Sequence, residues 1–186
     1  MIFIDFEAAG LDSYPIEVGF AAVEADRSIC SASRLIYERF WDEQFDWSPA
    51  AEALHGITRE QLRREGLPAV DVAAWLNEQI GGMVVLSDSR YDQLWTTELY
   101  IGAVMLPAFC GPRDITHAFS GIEIDERRFQ PAKRQADRSA PIRHRAEADA
   151  RHLATWYAQS LAIGAPVHRL IISPDGPRRV ALAEVP

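Results

Sequence analysis

The sequence predicts an α/β fold, a mixed β-sheet with α-helices packed on its faces. Three observations predict it. Apolar runs of strand character fill most of residues 2–40, helical spacing takes over from about residue 58, and a short strand returns at 83–87 before the last helices. The resulting order, β-β-β-α-β-α-α, is that of a layered domain. A chain of 186 residues, 48% apolar and 25% charged, is the length and composition of one globular domain with a sizeable core.

Each element has a local reason. Residues 2–7 read as a buried strand, and residues 16–25 (IEVGFAAVEA) and 33–40 (SRLIYERF) continue as a three-stranded meander. Pro15 and Asp26-Arg27-Ser28 supply its turns. Thr58 to Gln61 has the form of a capping box, with Thr58 as N-cap and Gln61 reaching back. Pro68 opens a helix in which Val72, Trp75, Leu76 and Ile80 share a face, and Gly81-Gly82 ends it. A helix is expected around 92–105, no element is assigned over 107–143, and a strong helix runs from Ala146 to about Ala162. In the tail, 167–173 and 178–183 read as two short strands about a Pro174-Asp175-Gly176 turn. Residues 1–165 are expected to form the functional domain, and 166–186 a C-terminal extension carrying this β-hairpin.

Composition excludes several classes. No apolar run is long enough to span a membrane, so no membrane partner is expected. The first strand begins at residue 2, so no removable signal is expected either. Cys30 and Cys110 lie in unrelated contexts, which is neither a disulfide framework nor a zinc spacing. Cytoplasmic residence is the expectation. A net charge of −8 argues against coating nucleic acid by bulk electrostatics, though not against handling phosphate through bound metal. Positive charge is uneven: between Arg127 and Arg145 there are seven Lys or Arg and one acid, Asp137. That run is either a solvated loop or a basic lip beside the helix that follows it.

Asp5 and Glu7 stand inside the first apolar run. Two residues apart on a strand, they leave the same face. No Lys or Arg lies near them in sequence, so a hard divalent cation with oxygen ligands is the candidate partner. Asp92 follows the 83–87 strand by a short polar turn and stands where a helix begins; Asp88, on the turn itself, competes with it. On the last helix Ala146, Asp149, Ala150 and Leu153 share a face, so small alanines allow close approach and set a carboxylate at a core position. His144 lies just before that helix.

These residues carry a resemblance. FIDFEAAGL (3–11) resembles the first motif of the DEDDh 3′–5′ exonucleases, a family of RNase H-like fold; VLSDSRYD (85–92) resembles its second; and HRAEADA (144–150) resembles its third. ALHGITREQL (53–62) is similar to the family's Ile-His-Gly-Ile-Thr segment. The order and separations agree over about residues 1–160, and the alignment selects Asp92 over Asp88. Where the family has Thr, Ala8 stands; where it has His-Asn, Ser87-Asp88; where it has Phe, Tyr91.

The resemblance implies that Asp5, Glu7, Asp92 and Asp149 hold two divalent ions, Mg²⁺ or Mn²⁺, and that His144 acts as general base. It implies hydrolysis of single-stranded DNA or RNA from the 3′ end, releasing nucleoside 5′-monophosphates. Backbone at Ala8 and Ala9 would meet the terminal sugar, Leu11 would wedge against the last base, and Leu54 and His55 would line the pocket. Trp41 and Trp47 are candidates for base stacking or, more simply, for packing. A homodimer follows by analogy alone. Two other readings keep the fold: a catalytically silent nucleic-acid-binding or scaffold module, and a phosphodiesterase acting on small nucleotide esters.

Overall fold

The apolar run that opens the chain forms the central strand of a five-stranded sheet. In the computed structural model, which describes residues 1–119, 124–139, 144–165, 168–173 and 176–181, β1 (Ile2–Ala8) pairs antiparallel with β2 (Pro15–Val23), and β2 with β3 (Ile29–Leu35). Four helices follow: α1 (Arg39–Gln44), α2 (Pro49–His55), α3 (Arg59–Glu65) and α4 (Ala69–Ile80). Then come β4 (Val84–Ser87), parallel to β1, α5 (Arg90–Gly102), and β5 (Cys110–Asp114), parallel to β4. The chain continues through α6 (Thr116–Phe119), α7 (Glu126–Ser139) and α8 (Ala146–Ser160) to a separate antiparallel pair, β6 (His168–Ser173) and β7 (Gly176–Ala181). The main sheet order is β3-β2-β1-β4-β5, a mixed sheet flanked by helices, as in RNase H-like folds.

Strand alternation divides the core. Ile2, Ile4 and Phe6 of β1 join Ile16, Val18 and Phe20 of β2 beneath Val72, Leu76 and Ile80 of α4 and Leu99 of α5. On the other face Phe3, Ala21 and Leu86 meet Ala150, Leu153, Ala154 and Tyr157 of α8. By the same alternation Asp5 and Glu7 continue the face of Phe3, toward the start of α8.

Several elements differ from the sequence expectation. The third strand lies at Ile29–Leu35 and not at 33–40, because an edge strand is held by backbone pairing and its Cys30 and Arg34 stay exposed. Ile36 keeps one bond to β2, its N–H donating to the Ile16 carbonyl at 2.8 Å, and also forms an isolated bridge with Leu67 before a helix takes over at Arg39. Thr58 caps α3 as expected, accepting from the Gln61 N–H at 3.0 Å, but the Gln61 side chain turns forward to donate to Glu65 at 2.9 Å. The stretch left unassigned, 107–143, contains β5, α6 and the 14-residue α7. Val167, Pro174-Asp175 of the expected turn, Leu182-Ala183 and Arg143 of the basic run lie outside the described residues. Among those described, no helix is long and apolar enough to cross a membrane.

Candidate active site

Three elements deliver the expected carboxylates to one place. Asp5 and Glu7 extend from β1. Asp92 sits in the first turn of α5, whose N-cap Ser89 accepts from the Tyr91 N–H at 3.2 Å. Asp149 sits in the first turn of α8. Ligand oxygens of Asp5, Glu7 and Asp149 lie within 4.8 Å of one another, and those of Asp5, Asp88 and Asp92 do likewise. Asp5 belongs to both groups. The structure therefore gathers all four expected carboxylates and adds Asp88, which the motif alignment had set aside.

So many like charges perturb one another. Loss of solvent raises the Asp5 pKa well above the usual carboxylate range, and the charges of Asp92, Glu7, Asp149 and Asp88 raise it further. Burial, then Asp149 and Glu17, push Glu7 up to about 8 against the opposing pull of Arg145. Burial and then Asp88 push Asp92 up to about 8. Asp92 is 1% exposed, and neither of its side-chain oxygens has a well-formed hydrogen bond among the described residues, although the Ser87 hydroxyl and the Phe6 backbone nearby oppose the rise in its pKa. A buried acid in that condition is costly unless a proton or a cation meets it.

Sequence reasoning missed the device that docks α8. Glu17 of β2, 1% exposed, accepts two hydrogen bonds from the Arg145 guanidinium (2.8 and 2.9 Å), one from the Ser33 hydroxyl (3.0 Å) and one from the Ala146 N–H (3.1 Å). It thus caps a helix whose own N-cap, Arg145, supplies no side-chain cap. Beside it the backbone of α8 rests on Gly19, where a Cβ would stand 2.3 Å from the Glu147 nitrogen and 2.4 Å from the Ala146 carbonyl carbon. This contact fixes His144 and Asp149. His144 has φ +66° and an exposed side chain, and its N–H donates to Asp149 Oδ2 at 2.9 Å. The signal for Glu17 was available: it too is an acid inside an apolar strand.

Next to the carboxylates is a pocket of about 330 Å³ lined by Glu7, Ala8, Leu11, Leu54, His55 and Trp95, among others. Leu11 and Leu54 are 63% and 57% exposed, so both present apolar surface at its mouth. His55 is buried; its Nδ1 accepts from the Ile57 N–H at 3.0 Å, and Nε2 has no partner among the described residues. Burial lowers its pKa, which keeps the ring neutral. Ala9 does not line the pocket: its N–H donates to the Tyr14 carbonyl (3.0 Å) and its carbonyl accepts from the Ser48 N–H (2.8 Å). Trp95 was not foreseen, although it lies three residues after Asp92 on the same helix. Trp41 is packed, 4% exposed and stacked on Tyr14, while Trp47 donates to Glu52 at 2.6 Å.

No protein-family model and no curated protein matches the sequence. Solved structures do match. Over 85% of this chain and 39% of the other, the fold superposes on the zinc-bound E. coli exonuclease I–single-stranded DNA complex with TM-score 0.61 and 14% identity. Exonuclease I of Methylocaldum szegediense gives TM-score 0.60 at 17% identity over 84% of this chain and 39% of that one. A full-length 3′-exonuclease gives TM-score 0.59 at 14% identity, with 100% of this chain and 91% of the other covered. The chain spans about two fifths of the exonuclease I molecules it resembles. At such identities the likeness establishes a shared fold.

Proposed function

We propose that a chain with this exonuclease fold is a metal-dependent 3′–5′ exonuclease that releases nucleoside 5′-monophosphates from single-stranded DNA or RNA. The observation that carries the reading is the pair of three-carboxylate groups joined at Asp5, beside a pocket of nucleoside size. The donor set fits a hard divalent ion: every donor is a carboxylate oxygen, and Asp92 is buried with neither oxygen in a well-formed hydrogen bond among the described residues. Asp5, Glu7, Asp92 and Asp149 would hold two Mg²⁺ or Mn²⁺. Bound there, such ions supply Lewis-acid charge to phosphate oxygens and to water.

The chain's own residues do the rest. The exposed His144 ring, whose backbone N–H is bonded to Asp149, would accept the proton of the attacking water on a ring nitrogen. The water oxygen bonds to phosphorus as the bond to the 3′ oxygen of the next nucleotide breaks, which leaves a 5′-monophosphate and a strand one residue shorter. Ala8 lets the terminal sugar approach β1. Leu11 and Leu54 hold the last base between them, and His55 Nε2–H is the donor available to a sugar hydroxyl. Ala9 shapes the loop through its bonds to Tyr14 and Ser48. Helix α7 carries exposed Arg127, Arg134 and Arg138 on one face and runs antiparallel to α8, from the Asp125 N–H at Ser160 to Asp137 at 3.5 Å from His152. Its last turn lies near the turn of α8 that follows Asp149, so Arg134 and Arg138 would steady phosphates upstream of the cut, while Arg127, at the far end, pairs with Asp125.

Two observations favour a second reading. A net charge of −8 and a pocket that holds about one nucleoside also suit a phosphodiesterase of small nucleotide esters. Digestion of 5′-labelled single-stranded RNA and DNA with Mn²⁺, alongside Asp149→Ala and His144→Ala, decides between them. A ladder shrinking from the 3′ end, slowed by roughly 10²–10⁴ in His144→Ala and lost in Asp149→Ala, is the expected result. Turnover of nucleotide esters with no ladder from either polymer would replace the exonuclease reading with the second. Metal binding without turnover of any ester would make the chain a silent binder.

A further inference from the structure

We propose that Asp88 is a metal ligand, completing with Asp5 and Asp92 a second three-carboxylate site that the four-carboxylate reading does not contain. The inference rests on the proposed function only in that both require divalent ions at Asp5. Asp88 lies in the Ser87-Asp88-Ser89 turn between β4 and α5, and its carboxylate approaches those of Asp5 and Asp92 with all ligand oxygens within 4.8 Å. Convergence of acids alone would not make a site. The second observation is Asp92, 1% exposed, with neither oxygen making a well-formed hydrogen bond among the described residues and one of them within this group. The neighbouring hydroxyl of Thr96 is committed elsewhere, donating to the Asp92 backbone carbonyl at 2.6 Å.

Asp92 alone reaches Asp5 from inside the fold. Asp88 is exposed where Asp92 is buried, so the group joins a solvent-facing carboxylate to one from the interior. The partition is regular: Asp5, Glu7 and Asp149 surround one position, Asp5, Asp88 and Asp92 the other, with Asp5 bridging. Five carboxylates facing two divalent ions leave one negative charge. A set of four would leave none, but would give the second ion only two protein ligands. The extra anion therefore exchanges some attraction for phosphate for tighter retention of the second ion.

The test is calorimetric titration of MnCl₂ into the metal-stripped chain, wild type and Asp88→Asn, with melting temperatures before and after. Glu126→Gln, an exposed acid far along the chain, is the control. The wild type is expected to bind two ions. Asp88→Asn should keep one and bind the other at least about tenfold more weakly. Because the variant relieves like-charge repulsion, it should also melt higher than wild type without metal and gain less from Mn²⁺, a pattern that misfolding would not give. Two ions bound by Asp88→Asn with wild-type affinity would overturn the proposal. So would a wild type that binds a single ion. If the wild type trims no 3′ end while Asp88→Asn loses the second ion, the exonuclease reading falls and this one stands. If 3′ ends are trimmed and Asp88→Asn binds both ions normally, this one alone falls.

Discussion

At the scale of single residues, Asp5, Glu7 and Asp92 are carboxyls that the fold holds above their ordinary pKa. Such a group binds more protons folded than unfolded, so folding takes up protons between the two pKa values and stability falls as pH rises through that window. For Glu7 the window runs from an ordinary 4.5 to about 8, and for Asp92 from 3.8 to about 8. The metal-stripped protein should therefore melt higher at pH 5 than at pH 8, by more than about 4 °C, which is the shift that about 1–2 kcal/mol produces in a chain of this length. Saturating Mn²⁺, which binds only the folded site, should raise the pH 8 value and remove or reverse the slope. A scan in EDTA that is flat or rises with pH would contradict this account of the site. Asp5, Glu7 and Asp149 were legible as letters, because strand and helix spacing place carboxylates on buried faces. Asp88 was visible but placed below Asp92: a turn residue has no periodic face, so only the folded chain shows where it reaches.

At the scale of elements, the placement of α8 on β2 decides whether the site exists. Gly19→Ala puts a methyl into the backbone of Ala146 and Glu147. That substitution is expected to cost about 2 kcal/mol in urea unfolding and to shrink the Mn²⁺-induced rise in melting temperature, since Asp149 moves with the helix. A Gly19→Ala protein with unchanged metal response would show that the contact is incidental. For α7, replacing Arg134 and Arg138 by Gln should weaken binding of a single-stranded oligonucleotide and lower the slope of log K against log salt by roughly 0.7 per arginine. Fluorescence anisotropy at several salt concentrations reads both, and unchanged slopes would remove α7 from the substrate path. Helix α7 was illegible for a physical reason. Its apolar stripe is narrow: Phe129, Ala132 and Ala136 keep helical spacing, but two of the three are alanines and Pro131 falls among them, a residue that argues against a helix. The strand β5, with Gly111 and Pro112 in its span, hid likewise at the sheet edge. The first two strands, α4 and α8 were legible because each buries apolar residues at regular spacing, whereas β3 has no buried residue to mark it.

For the molecule as a whole, the Glu17–Arg145 pair has a consequence for the order of events during synthesis. Its two residues are separated by 128 positions. Strands β1 to β3 leave the ribosome first, with Asp5, Glu7 and Glu17 on one face of the nascent sheet and no cation made to meet them. Hydrophobic pairing on the opposite face must work against those three charges until α8 emerges with its arginine. The site is thus completed only once α8 has emerged, and the early sheet is not expected to be stable unaided. A fragment ending at Ser139 should show little cooperative melting by circular dichroism and rapid amide exchange in β1 and β2, even with Mn²⁺. Adding a peptide that spans His144 to Ser160 should restore protection in those strands. A fragment already protected without it would mean that the sheet tolerates its own acids, and that the carboxylate face matures late only in function.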